Sequence, residues 1–314
     1  MRKFSTLFFA ILLCSTLARA DQGTTAASFL KLGTSPRAIA MGDSFGGVAD
    51  DVSAIQYNPG GLGFLPDKEL TLMHALWFLD IFYDYGAVAW PIKDIGTIGV
   101  SVFYLNDGKF DKYLVDPNTG APVADGTFSA SSMALSLAYS RQIFKPLSVG
   151  INIKFLNETI ESDSASSVAV DLGALYKTPI PNLSLGINIQ NLGPSLGFSE
   201  AFTLPINTRF GIGYKPFDNI TVSSDYVQPI ETAGTWSFGG EYGYRDTLFV
   251  RMGYAYQGAV DYNQTYTGYG PAVASGLSLG MGLKALKSYT LDYAYQPYGF
   301  LGTSHRFSLT YKFL

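Results

Sequence analysis

Few residues in this chain are of types that carry chemistry, and their spacing is poor for catalysis. His74 and His305 are its two histidines, and no acid–base set converges on either in the sequence. Asp50 and Asp51 form a carboxylate pair. Neighbours in sequence rarely point together, however, and helix capping is the simpler use for them. The glycine-rich strings "GLGFLP" and "GLSLGMG" fit turns and small lumen-facing residues better than phosphate loops. Cys14 is the single cysteine, so no disulfide, thiolate metal site or thiol nucleophile is expected. These residues predict a non-enzymatic protein with no cofactor and no metal. Two other sets of residues stand out. One is a scattered group of charges of both signs: Lys154, Asp171, Arg209, Glu241, Arg251, Asp292, Arg306 and Lys312. The other is concentrated near the N-terminus: Arg37, Gly42, Asp50, Asp51, Asn58, Pro59 and Gly60.

The elements that carry the scattered charges are runs with a period of two. In "PLSVGINIKFL", Val149, Ile151, Ile153 and Phe155 oppose Ser148, Gly150, Asn152 and Lys154. Residues 183–190 and 277–284 repeat this alternation. Alternation places each set on one face of a strand. About 14 such runs follow residue 66, centred near Leu72, Ala87, Val100, Leu135, Ile151, Val170, Ile187, Phe210, Val222, Phe238, Val250, Leu279, Leu291 and Leu309. The composition says where the apolar face points. Hydrophobic residues make up 47% and charged residues only 15%, against about 25% charged in a soluble domain. Past the first twenty residues no apolar run approaches the roughly 20 residues of a membrane helix. A transmembrane β-barrel reconciles these facts, with apolar side chains toward lipid and small or charged ones toward the lumen. An open edge in lipid would leave backbone groups unpaired, so the sheet must close. The eight charges then face inward by parity, as a salt-bridge network that seals the lumen.

Other features fit an outer-membrane barrel. Arg2 and Lys3, an apolar stretch over 7–17 and Ala18-Arg19-Ala20 have the form of an export signal over 1–20, cleaved before Asp21. Removing Arg2, Lys3 and Arg19 leaves 18 basic residues against 25 acidic ones, a net charge of −7. This argues against a nucleic-acid partner. Short links at 91–95, 142–146, 178–182, 215–219, 245–247 and 285–288 alternate with longer ones at 106–127, 158–166, 192–203 and 258–273. Short periplasmic turns and long external loops have this pattern. Tyr214, Tyr242, Tyr244, Tyr254, Tyr256, Tyr293, Tyr295 and Tyr311 fall near run ends, as interfacial girdles do. Phe307, Leu309, Tyr311 and Phe313, in the segment ending at Leu314, resemble the signal that barrel-insertion machinery reads.

Residues 21–65 lack the alternation. Residues 26–32 suit a short helix, Ser35 and Pro36 start a second that Gly42 ends, and Asp50 or Asp51 would cap a third ending before Asn58-Pro59. Such pieces are too short to stand alone. They predict a plug inside the lumen of a barrel spanning 66–314. Pro59 would set the chain direction, and Gly60-Gly61 would permit φ > 0. Gly33, Arg37-Ala38, Gly42, Ala49-Asp50-Asp51 and Asn58-Pro59 resemble the N-terminal hatch of the FadL superfamily. The string "SPRAIAMGDSFGGVADDVSAIQYNPGGLG" is closer to its PorV/PorQ branch, the UPF0164 group, although Gly60 stands where the fatty-acid transporters usually have Ala. The resemblance implies either passage of hydrophobic molecules such as long-chain fatty acids, or service to a type IX-like secretion system that binds cargo or machinery. The partners expected are therefore outer-membrane lipid, a hydrophobic ligand or secretion proteins.

Overall fold

Fourteen alternating runs become fourteen antiparallel strands in a closed barrel. The structure is a computed structural model that describes residues 23–77, 81–257, 276–298 and 302–313. The first seven strands are β1 Lys68–Leu76, β2 Phe82–Ile92, β3 Gly96–Val115, β4 Pro122–Phe144, β5 Leu147–Ile160, β6 Asp163–Lys177 and β7 Leu183–Leu192. The other seven are β8 Asn207–Phe217, β9 Ile220–Pro229, β10 Thr235–Tyr244, β11 Leu248–Gln257, β12 Leu277–Ala285, β13 Tyr289–Pro297 and β14 Thr303–Phe313. Each strand pairs with its sequence neighbours. The ladder from Lys68↔Phe313 to Leu76↔His305 joins β1 to β14 and removes the last edge. Every expected run centre lies inside a strand.

Alternation sorts the side chains as period two requires. Leu72, Val100, Leu137, Ile153 and Leu291 are exposed on the outer face, while Ser136, Asn152, Lys154 and Asp171 are buried on the inner one. The outer face is an apolar belt of the kind that lipid covers. Among the described residues no helix is long and apolar enough to cross a membrane.

The links differ from expectation in two places. Strands β3 and β4 run for 20 and 23 residues, so most of the long link expected over 106–127 is strand. Its β3–β4 ladder carries register shifts between Asn106 and Lys109 and between Asp111 and Tyr113. Bulges break the period of two, which is why this part reads as loop. The link expected over 158–166 is likewise a tight hairpin, with Glu161 at φ 56° between β5 and β6. The link at 193–206 is irregular, with one bridge between Leu196 and Phe202. The export signal over 1–20, the whole link at 258–273 and Leu314 lie outside the described residues.

Four helical pieces fill the lumen. They are a 3₁₀ turn at Ser28–Lys31, α1 Pro36–Ala40, α2 Ala54–Tyr57 and a second 3₁₀ turn at Pro59–Phe64. Ser35 caps α1, its hydroxyl accepting from the Ala38 amide, with Pro36 in the first turn. The core lies between plug and wall. Phe29, Leu30, Val52, Ile55 and Leu62 pack against Tyr83, Tyr85, Phe103, Leu105 and Leu156 of β2, β3 and β5. Each such buried side chain contributes about 1.5–3 kcal/mol. The apolar side of the plug thus faces β2–β6. Most of its charged contacts face β8–β14.

Candidate functional site: the clamps between plug and wall

Arg37 stands in the first turn of α1, held there by the Ser35 cap. Its Nε and Nη2 each donate to Glu241 of β10 at 2.9 Å, a bidentate pair. Its Nη1 donates to Asp50 at 2.7 Å and to Asp51 at 2.9 Å within the plug. Glu241 also accepts from Arg251 of β11 at 2.7 Å, and Arg251 pairs with Asp292 of β13 at 2.5 Å. Asp50 pairs with Lys215 of β8 at 2.9 Å. Beside this chain, Glu69 of β1 accepts from the Val52 amide at 2.8 Å and pairs with Lys312 of β14 at 2.7 Å. One ionic cluster therefore ties the plug to β8, β10, β11 and β13, and a second pair ties it to β1 and β14. Burial alone would raise the Asp50 carboxyl, but Arg37 and Lys215 outweigh it and hold the carboxyl well below the usual carboxylate range. Burial works against the Arg37 cation, and the carboxylates of Asp50, Glu241 and Asp51 overcome it.

A further clamp holds residues 43–46. Asp225 of β9 accepts from the Phe45 amide at 3.0 Å, the Gly46 amide at 2.7 Å and Arg209 of β8 at 2.9 Å. Arg209 also donates to the Asp43 carbonyl at 2.6 Å and carboxylate at 3.1 Å. Lys154 pairs with Asp171 at 2.8 Å between β5 and β6, where Asn152 reaches the Ile55 carbonyl at 3.2 Å. Asn58 caps the second 3₁₀ turn, accepting from the Gly60 amide. Its amide nitrogen donates to the Gly46 carbonyl at 2.9 Å and the Ala174 carbonyl at 3.0 Å. The other end of the plug is also tied. Thr25 donates to Glu231, beyond β9, at 2.6 Å, and Lys31 pairs with the same carboxylate.

The structure places all eight scattered charges on the inner face. Glu241, Arg251 and Asp292 join Arg37, Asp50 and Asp51 in one cluster, while Arg306 lies apart with Tyr83, Gln296 and Tyr298. Gly42 has φ 70°, and its backbone lies against Phe238 and Tyr254 of the wall. Two expectations for the plug change. Asp50 and Asp51 both bind Arg37, and Asp51 in addition accepts from the Ser53 amide at 2.9 Å at the start of the turn that leads into α2, whose N-cap residue, Ser53, makes no side-chain cap bond. Gly60 and Gly61 lie in a 3₁₀ turn without positive φ. What Gly60 requires is room, because a Cβ there would stand 2.8 Å from the Ala174 Cα. Glu69, Asp225, Asp43 and Lys215 are contributors that sequence reasoning missed. Parity could have found two of them, since Glu69 and Asp225 oppose the outward residues Leu72 and Val222 of their own strands.

Three Gly-x-Ser-x-Gly strings occur, around Ser44, Ser195 and Ser278. Ser44 is buried in the plug. Ser278 lies within β12, accepting from the Gly42 amide at 3.1 Å. Ser195 is exposed in the irregular link at 193–206, and none of the three bonds a histidine among the described residues. His74 pairs with Asp84 on the outer face and His305 with Tyr293. Among the described residues, a cavity beside Arg37 and another beside Phe29 and Phe103 each have room for about one water.

No family model matches the sequence. Over 189 residues the chain is 25% identical to a UPF0164 protein of Treponema pallidum, a match covering 55% of this chain and 44% of that protein. The chain thus matches less than half the length of that curated relative. A Pseudomonas aeruginosa FadL homologue superposes with a TM-score of 0.62 at 14% identity, over 90% of this chain and 98% of that one. The Ralstonia pickettii toluene transporter TbuX gives 0.62 at 14% identity, over 90% and 99%. The Pseudomonas putida toluene transporter TodX gives 0.62 at 13%, over 89% and 98%. The fold is therefore that of the FadL-like β-barrels.

Proposed function

We propose that this chain is a bacterial outer-membrane barrel of the PorV/PorQ branch that binds or passes hydrophobic small molecules, such as long-chain fatty acids, and has no catalytic role. The observation that carries this reading is a closed apolar wall around a plug that packs on β2–β6 through an apolar core but is held to β8, β9 and β10 by polar and ionic contacts. Such contacts can be exchanged for water or ligand groups more readily than a packed apolar core. The fold shared with a FadL homologue and two toluene transporters supports the same direction. In this reading the short turns face the periplasm, molecules enter past the long links, and release of the Arg37 cluster opens the way. The test is native mass spectrometry on protein extracted mildly from its own outer membrane. An apolar adduct is expected, lost in the Asn58→Ala variant. A stoichiometric protein partner with no small adduct would overturn the reading.

One observation favours a second reading, service to a type IX-like secretion system. The β2–β3 ladder ends at Phe82↔Asn106 and the β4–β5 ladder at Ala130↔Ile160. The β3–β4 ribbon continues beyond both, with Tyr113, Leu114, Val115 and Val123 more than half exposed. An apolar ribbon above the wall suits a protein partner.

A further inference from the structure

The two rims of the barrel carry opposite charge. At the short-turn end, residues 67–68, 93–94, 141–145, 177, 218, 245–246 and 284–287 include eight basic side chains against four acidic ones, none of them buried. Lys215 and Lys312 at the same end turn inward instead, to Asp50 and Glu69. At the opposite end, among the described residues, Lys31 together with 107–125, 158–163, 200 and 231 supplies three basic side chains against nine acidic ones. The basic rim therefore runs against the acidic excess of the whole chain. Solubility alone is served by both signs interspersed, not by sorting them to two ends.

Cations of the basic rim also stand beside outward rings. The Lys68 ammonium lies 3.9 Å from the centroid of the Trp90 ring, and the Arg245 guanidinium lies 5.1 Å from that of Tyr244. Arg141 follows Tyr139 on the outer face of β4, and Lys287 precedes Tyr289, whose ring meets Tyr311 at 4.8 Å. All four leading rings, Trp90, Tyr139, Tyr244 and Tyr289, are exposed. An outward ring is thus followed by a rim cation on β1–β2, β4, β10 and β12–β13. Rings of this kind mark the boundary of an apolar belt, and a long basic side chain just beyond them reaches the level of lipid phosphates. A cation at that level attracts an anionic lipid surface. We propose that the short-turn rim is a collar for the phosphate groups of anionic phospholipids, whose acyl chains lie against the outward rings. The acidic rim repels the same lipids, so the collar fixes the direction and depth of the barrel in the bilayer. The inference rests on the reading above that lipid covers the wall, and it adds which lipid and at which end.

The test places the full chain in nanodiscs of equal phosphatidylglycerol and phosphatidylcholine, releases it in a neutral detergent and weighs the lipids it keeps by native mass spectrometry. Phosphatidylglycerol is expected to be enriched roughly fivefold over phosphatidylcholine, as a cation near an anionic surface gives, and the enrichment should fall as salt is added. The combined variant Lys68→Gln, Arg141→Gln, Arg245→Gln and Lys287→Gln should keep both lipids equally. Lys68→Gln with Lys287→Gln should lose part of the excess, and this pair serves if the combined variant fails to fold. Lys109→Gln with Lys112→Gln, at the acidic end, should change nothing. Equal retention by the unaltered chain would overturn the inference, as would an excess that survives the collar variants or vanishes in the Lys109 and Lys112 variant. Those outcomes leave lipid on the wall and the membrane reading standing. A stoichiometric acidic protein kept through the same four cations, with no phosphatidylglycerol excess, would overturn the collar in favour of a protein surface. A folded chain that enters no nanodisc overturns the membrane reading and this inference together.

Discussion

Arg37 lies 204 residues from Glu241, and their bidentate pair joins the plug to the barrel wall. Replacing Arg37 by alanine leaves Glu241 with Arg251 alone and removes from Asp50 and Asp51 their shared cation. The cost is expected to fall below the roughly 3–5 kcal/mol of a fully buried pair, since Asp50 is partly exposed. Hydrogen exchange should show the loss in residues 28–64, while strand amides keep their protection. Unchanged plug protection would sink the clamp. The same cluster sets a pH dependence. The Asp50 carboxyl is held below its unfolded value of about 3.9. Its contribution is therefore complete above that value and is lost as pH falls through the lower folded value. Plug protection, corrected for intrinsic exchange, is expected to hold from pH 8 to 5 and to weaken only below about pH 4. Loosening between pH 7 and 5 would assign the clamp to another group.

At the scale of elements, the second 3₁₀ turn meets β6 through a glycine. Gly60 has no positive φ, and the space its missing Cβ would need is taken by Ala174 backbone atoms and the Leu175 nitrogen, within 2.9 Å. Gly60→Ala should force the turn off the wall at about 1–3 kcal/mol, the usual cost of overpacking. A lowered unfolding midpoint checks this, and an unchanged one would mean that the turn is free to shift. The β3–β4 ribbon is an element-scale surprise with a local cause. Its bulges disturb the alternation that marks the other strands, and its Asp, Gly and Asn residues imitate a loop.

For the whole molecule, the decisive property under the outer-membrane proposal is which surface would meet lipid. Val102 lies on the apolar belt, 42% exposed, whereas Val115 lies on the ribbon beyond the wall, 71% exposed. In lipid vesicles Val102→Arg should cost about 2–4 kcal/mol. Val115→Arg should cost almost nothing, because water surrounds it. Denaturant unfolding of the two variants side by side checks the difference, and equal costs would contradict the assignment of belt and ribbon.

Periodicity and capping act over a few residues, so the sequence by itself determined the features that depend on them. These are the strand centres, the inward parity of Lys154, Asp171 and the other six charges, and the Ser35–Pro36 start of α1. Tertiary structure alone decided which charges meet. Parity puts Arg251 and Arg306 on the same inner face, yet only barrel closure and the plug's path bring Asp292 to the first and leave the second among phenols. It also decided that Asp50 and Asp51 bind Arg37, and that Gly60 is needed for space rather than for φ. Contacts between separate elements depend on strand register and lumen packing, and no local pattern in the chain encodes either.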